Sequence, residues 1–266
     1  MIIDVHCHVW PDWLAPRVLA RRPAGLDPVG DGTVDGLLRA MDAAGIDRAG
    51  CLTVAESAEH VASANAFIGR LDRSRLIPFG TVHTGLSVER NLQILKDNGI
   101  RAVKLHPNFQ GLSLADPAVV DLLRGLAEER IVVLAHVGEG SDEAASERAA
   151  PRHMAALTAQ IPDLRLIACH FGGYHRLDEA QAAPVTSYVD TSWPPAVGAL
   201  GVERLRELVS LYGADRLVFG SDWPMADPAA ELRSLRALGL SKAEEEAVLG
   251  GTLLSLLEPA AEEGAE

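Results

Sequence analysis

Eight short apolar runs, each followed by a stretch with helical spacing, constrain this chain more than any other feature. The runs are Ile2–His6, Ala49–Val54, Leu76–Val82, Ala102–His106, Ile131–His136, Leu164–His170, Val185–Asp190 and Leu217–Gly220. They read as parallel strands, which are buried on both faces and so lack an apolar/polar alternation. Between and after them lie amphipathic segments: Val34–Ala44, Val61–Leu71, Val88–Asn98, Ala118–Arg130, His153–Gln160, Leu177–Ala182, Val197–Tyr212 and Ala229–Leu238. Asp116-Pro117 and Asp227-Pro228 each offer an N-cap carboxylate followed by a proline suited to the first helical position. Ser241 with Glu244 forms a capping box for one extra helix, Lys242–Leu257. Eight strand–helix units predict an α/β fold, a closed (β/α)8 TIM barrel with an extra C-terminal helix. The 266 residues suit one such barrel, whose usual size is about 250 residues. No repeat or linker divides the chain. One domain over 1–257 is expected, with a frayed acidic tail at 258–266.

Histidines fall where such a barrel does its chemistry. Of nine, six (His6, His8, His83, His106, His136 and His170) lie in or just beyond the C-terminal end of a strand. Active sites of these barrels form at that face. His6 and His8 stand two apart in a strand, so their rings share a side and can ligate one divalent metal. Asp222 ends the eighth strand and should face the first across the closure. A lone His-x-His carries little weight. Ligand-type residues at the ends of several strands together are what a metal site at the barrel mouth requires. His60, His153 and His175 lie off this face and read as solvated or satisfied.

Composition narrows the partners. A net charge of −13 disfavours nucleic acid and anionic membranes. No apolar stretch reaches the ~18 residues of a membrane span. A first strand beginning at Ile2 leaves no room for a signal or transit peptide, so a cytoplasmic location is expected. The cysteines Cys7, Cys51 and Cys169 have no metal-type spacing and read as reduced and buried. Alternation from the neighbouring histidines would send Cys7 and Cys169 outward, under the helices.

At this point the chain resembles the amidohydrolase superfamily, in the amidohydrolase-related branch that includes aminocarboxymuconate-semialdehyde decarboxylase. The motifs are Asp4-Val5-His6-Cys7-His8, Val103-Lys104-Leu105-His106-Pro107, His136, His170-Phe171-Gly172-Gly173 and Phe219-Gly220-Ser221-Asp222-Trp223-Pro224. They span nearly the whole chain in the order the family shows. The resemblance implies that His6, His8, His136 and Asp222 ligate one divalent metal, usually zinc with manganese as the alternative. It also implies that His170 is the unliganded acid/base. The chain departs from its relatives at Gly250-Gly251-Thr252, where a Gly-Asn-Ala type of segment is common. It is also shorter than many of them.

The physical reading runs parallel. A catalytic zinc keeps one position open for water, whose pKa falls to about 7. Asp222 could take that water's proton and His170 donate to a leaving group. The alternative for His170 is a fifth ligand or a hydrogen-bonding neighbour of one. Lys104, one of three lysines, corresponds to a residue that is carboxylated in two-metal relatives. Beside His106-Pro107 it reads instead as an uncarboxylated group for substrate or anion binding. His106 fits a substrate contact and a supporting role equally. The tryptophans Trp10, Trp13, Trp193 and Trp223 follow strands one, seven and eight, with Phe109 and Phe171 placed similarly. Each alone could roof the core; together they outline a pocket for a flat, small molecule. In the loop Val9–Gly32, Arg17, Arg21 or Arg22 is available for a carboxylate.

The activity expected first is a hydrolase that attacks an amide, ester or lactone with metal-activated water. Non-oxidative decarboxylation of an aromatic or unsaturated acid is the runner-up, and a non-catalytic binding barrel the third reading. The partner is a small molecule, aromatic or carboxylated; homo-oligomerisation is left open.

Overall fold

In the computed structural model, residues 1–22 and 25–258 are described. Nearly all of the proposed tail, residues 259–266, lies outside them. The strands are β1 (Ile3–His8), β2 (Arg48–Leu52), β3 (Leu76–Thr81), β4 (Ala102–Leu105), β5 (Val132–Ala135), β6 (Leu166–Ala168), β7 (Tyr188–Asp190) and β8 (Leu217–Val218). They form one parallel eight-stranded sheet in sequence order. β8 is only two residues long, so most of the seam to β1 is made by the segment after it. Val5 N–H donates to Phe219 O at 2.9 Å, Asp222 N–H to His6 O at 2.8 Å and His8 N–H to Trp223 O at 2.7 Å. The TIM barrel expected from the sequence is present.

Both faces of the strands are apolar for the reason given by the fold. Ile3, Val5, Leu52, Ile77, Phe79, Ala102, Val132, Leu134, Ile167, Cys169 and Val218 cluster together as the inner layer. Cys7, Ala49, Cys51, Val103, Leu105, Val133, Ala135 and Val189 pack outward among helix residues. Cys7 therefore lies under the helices as expected. Cys169 does not. It belongs to the inner layer, and His170 beside it reaches the interior by another route: His170, Phe171 and Gly172 are left-handed, with φ of 60°, 51° and 74°. That turn breaks strand alternation at its last step.

β1 breaks alternation too. Its register with β2 runs Asp4↔Ala49 and then Cys7↔Cys51, so β1 carries one extra residue between them. Such a bulge shifts the side-chain phase. Val5 and His6 both turn inward, Cys7 turns out, and His8 turns in. Gly50 supplies the room, since a Cβ there would sit 2.5 Å from Val5 O.

The helices follow the sequence closely where caps are explicit. Asp116 and Asp227 accept from Ala118 N–H and Ala229 N–H at 2.8 and 3.0 Å, starting helices Pro117–Glu128 and Pro228–Arg236. Two expected helices are broken. Val197–Tyr212 divides at Gly201, φ 80°, into a 3₁₀ turn Val197–Leu200 and a helix Val202–Tyr212. The capping box at Ser241 is formed, but the last helix is interrupted by a wide turn over Ala247–Gly251. There Val248 O is drawn off to accept Phe219 N–H at 2.9 Å, which extends the seam.

Glu231, within helix Pro228–Arg236, is buried, and its two carboxylate oxygens lie 3.1 and 3.0 Å from Val197 N, whose N–H they accept. Burial pushes its carboxyl up to about 8. No described helix is long and apolar enough to cross a membrane.

Candidate metal centre

Two strand ends, those of β1 and β8, meet at the seam. His6 Nε2 and His8 Nε2 each lie 3.4 Å from Asp222 Oδ1. These three residues form one compact donor group. Asp222 is left-handed, φ 71°, a conformation aspartate tolerates better than most residues. Its N–H is pinned to His6 O, so the carboxylate's place is fixed by the same hydrogen bond that closes the barrel.

The protonation of each ring follows from its outer partner. His6 Nδ1 stands 2.7 Å from Asp190 Oδ2, an acceptor, so it carries the hydrogen and Nε2 presents a lone pair. His136 Nε2 lies 3.1 Å from Glu139 O, and His170 Nδ1 3.1 Å from Ser192 O. A carbonyl can only accept, which leaves His136 Nδ1 and His170 Nε2 as lone pairs. Those two nitrogens face one another at 3.1 Å. Two neutral imidazoles cannot share that contact without a proton or a cation between them. The donors fall into two compact groups that share His6, one with His8 and Asp222 and one with Cys169 and His170; His136 belongs to neither and meets the second through His170 Nε2. The first group fits a divalent metal, with His6 donating its outer N–H to a carboxylate, the habit of metal-ligating histidine.

Burial decides the charges. It drives His6, His8, His106 and His170 well below the ordinary imidazole range and lowers His136 to about 3. All five rings are therefore neutral near pH 7, with lone pairs available. Burial also pushes the Asp222 carboxyl up to about 7 and Asp4 to about 6; hydrogen bonds from Ser221 and His6 oppose it at Asp4.

A family model for amidohydrolases matches residues 3–253. The chain belongs to the amidohydrolase family. No curated protein matches it. Among solved structures, this amidohydrolase is similar to a TIM-barrel protein of uncharacterized function from Bordetella bronchiseptica (20% identity, TM-score 0.74, covering 96% of this chain and 98% of that one). It is similar as well to a protein provisionally described as a 2-pyrone-4,6-dicarboxylic acid hydrolase from Pseudomonas putida (20%, TM-score 0.65, 96% and 97%). A third is a dihydroxybenzoic acid decarboxylase from a Polaromonas species, with bound manganese and the inhibitor 2-nitroresorcinol (14%, TM-score 0.74, 96% and 96%). At these identities the likeness concerns the fold.

Within the amidohydrolase barrel the residues singled out from the sequence separate into two sets. Lys104 is fully buried, its Nζ 3.1 Å from His6 Nε2 and 3.0 Å from Cys169 Sγ. His106 stacks on His136 at 4.3 Å between centroids, with Phe109 on its other side at 3.9 Å, and its Nδ1 has no partner. Gln110 fixes that turn: it accepts His106 N–H at 2.8 Å and donates to Val82 O at 2.8 Å. Trp193 is buried 5.2 Å from Tyr174, whose ring lies 5.1 Å from His170. Trp10 stacks on His8 at 5.9 Å. Two tryptophans stand apart. Trp223 is buried against the loop at Gly30, where a Cβ would meet its ring at 2.5 Å. Trp13 is 66% exposed, with Arg17 over its ring. Arg22 pairs with Asp27. His60 and His153 pair with Ser57 and Glu147, and His83 accepts Gly85 N–H.

Sequence reasoning missed Asp190. Besides His6, this carboxylate receives His170 N–H at 2.8 Å, Ser192 N–H at 3.1 Å and Ser192 Oγ–H at 2.6 Å. Its signal was available: like the histidines, it closes an apolar run. Ser192, Tyr174 and Glu139 O carried none.

Proposed function

We propose that this amidohydrolase is a metal-dependent hydrolase adding water to an amide, ester or lactone of a small organic molecule. The observation that carries the reading is the compact group of His6 Nε2 and His8 Nε2, each 3.4 Å from Asp222 Oδ1, with His6 Nδ1 held by Asp190. In this reading His6, His8, His136 and Asp222 hold one divalent cation, zinc first and manganese as the alternative. The chemistry supplied by such a cation is Lewis acidity, which polarises a carbonyl and makes water acidic near pH 7.

The chain's own groups do the rest. His170, its Nδ1–H held by Ser192, offers Nε2 as the base that takes a proton and returns it to the leaving group. Asp222 is assigned as a second proton acceptor. His106 is assigned to the substrate through its unpartnered Nδ1, whereas Lys104, expected from the sequence to bind substrate or an anion, is fully buried on His6 and Cys169. Trp193 with Tyr174 forms one wall, and Trp13 lies at the rim; Trp223 is assigned to roofing the core. The ligand class is a flat, carboxylated small molecule, in keeping with the dicarboxylic and dihydroxybenzoic acids named for the fold relatives.

Decarboxylation of such an acid is the second reading, favoured by the manganese-bound decarboxylase that shares 96% coverage. Mass-resolved incubation of zinc- or manganese-loaded protein with lactones, amides and carboxylated aromatics separates the cases. Gain of water is the expected result, and loss of carbon dioxide replaces it with the lyase. Tight binding without turnover leaves a binding barrel.

A further inference from the structure

Lys104 is placed where a metal ligand's lone pair points. His6 Nδ1 is committed to Asp190 Oδ2, so His6 has one free lone pair, on Nε2. Lys104 Nζ donates to that lone pair at 3.1 Å. Nε2 is also the atom that His6 contributes beside His8 Nε2 and Asp222 Oδ1. One lone pair cannot serve both an ammonium hydrogen and a metal ion.

The lysine is a built-in feature of the barrel interior. β4 alternation turns Lys104 inward between Val103 and Leu105, and its side chain is fully buried. Its second acceptor is Cys169 Sγ at 3.0 Å, the thiol that the left-handed turn at His170 leaves facing inward. The ion pairs of the site, His6 with Asp190 and Asp222 and His8 with Asp222, do not include it. A buried cation normally takes a carboxylate partner. Here a cation sits on an imidazole and a thiol, donors that would otherwise suit a metal.

We propose that Lys104 is a resident competitor for the metal, its ammonium occupying the His6 lone pair until a divalent ion displaces it onto Cys169. This inference rests on the metal reading above. Its consequence is that the lysine weakens metal binding, by taking a ligand atom and by placing a like charge beside the incoming ion. Cys169 gives the displaced ammonium an acceptor, so exchange needs no unfolding of the barrel.

The test is zinc affinity measured by competition with a chromophoric chelator on wild-type, Lys104→Met, Lys104→Gln and Lys104→Arg proteins. Methionine keeps the length and removes the charge; glutamine is the second neutral variant should methionine fail to fold. Lys104→Met and Lys104→Gln are expected to bind zinc roughly 10- to 100-fold more tightly, the size of effect that neighbours of metal ligands have. Lys104→Arg is expected to stay at or below wild-type affinity. Wild-type binding with neutral variants equal or weaker overturns the competitor role and leaves the metal reading intact. Zinc bound by the neutral variants but not by wild type supports it in its strongest form. No zinc bound by any of the four overturns both.

Discussion

Asp190 Oδ2 lies 2.7 Å from His6 Nδ1, while its other oxygen accepts the N–H of His170 and both the N–H and hydroxyl of Ser192. One carboxylate thus orients a proposed metal ligand and anchors the turn that carries the proposed base. Changing it should be felt at both.

Asp190→Asn tests this directly. The amide NH₂ must face either His6 Nδ1–H or the donors from His170 and Ser192, and each is a donor-to-donor conflict. Metal affinity should fall by about 10- to 100-fold with the fold retained, read by chelator competition and circular dichroism. Unchanged affinity would remove Asp190 from the mechanism.

His170→Asn should leave metal content nearly normal and lower kcat by roughly 10²- to 10⁴-fold, the range of a lost acid–base group. Elemental analysis alongside kinetics is the measurement. Loss of metal would instead make His170 a ligand, a role open to its inward Nε2.

Metal stoichiometry is expected to be one divalent ion per chain, since the proposed ligands His6, His8, His136 and Asp222 would make a mononuclear set. Two equivalents by elemental analysis would contradict it and reopen carboxylation of Lys104.

Glu231 predicts a pH dependence away from the metal site. Burial raises its carboxyl from the ordinary 4.5 to about 8, so between those values the folded state holds the proton more tightly than the unfolded chain. The stability it contributes is complete below 4.5 and is lost as pH rises through about 8. Glu231→Gln keeps an acceptor for Val197 N–H and no ionisable proton. The variant should match wild type at pH 4 and exceed it at pH 9, by about 2–5 kcal/mol at most. Urea unfolding at both pH values decides; a constant difference would mean that Glu231 is not buried as a neutral acid.

The tryptophans predict a split. Trp193 neighbours Tyr174, whose other neighbour is His170, whereas Trp13 is solvent-exposed. Quenching of indole emission by an added hydroxybenzoate should survive Trp13→Phe and be largely lost in Trp193→Phe. Equal loss in both would place the ligand at the rim.

The barrel was legible because its strands are continuous apolar runs and its helices carry explicit caps. The inward histidines of β1 and the seam position of Asp222 were legible for the same reason. What escaped was any departure from simple alternation. Strand alternation from an inward His170 predicts Cys169 outward, and the left-handed turn at His170 reverses that. Ring tautomers were invisible, since they depend on carbonyls of Glu139 and Ser192 that any residue could supply. Asp190 closes an apolar run as the histidines do, but its pairing with His6 depends on a contact between β7 and β1 that the sequence does not display.

The seam has one more implication. β8 contributes two residues, and the strip that finishes the cylinder, Phe219 to Trp223, is also the strip that delivers Asp222 to His6 and His8. A cation gripped by both would tie the start of the chain to a point more than two hundred residues later, like a removable staple. Staples across so long a loop act mainly on the unfolded chain, and for covalent links of about 100 residues the effect is close to 5 kcal/mol. Chelation should therefore loosen the stave where the cylinder was last joined, and amide exchange should quicken first at Val5, His8 and Asp222.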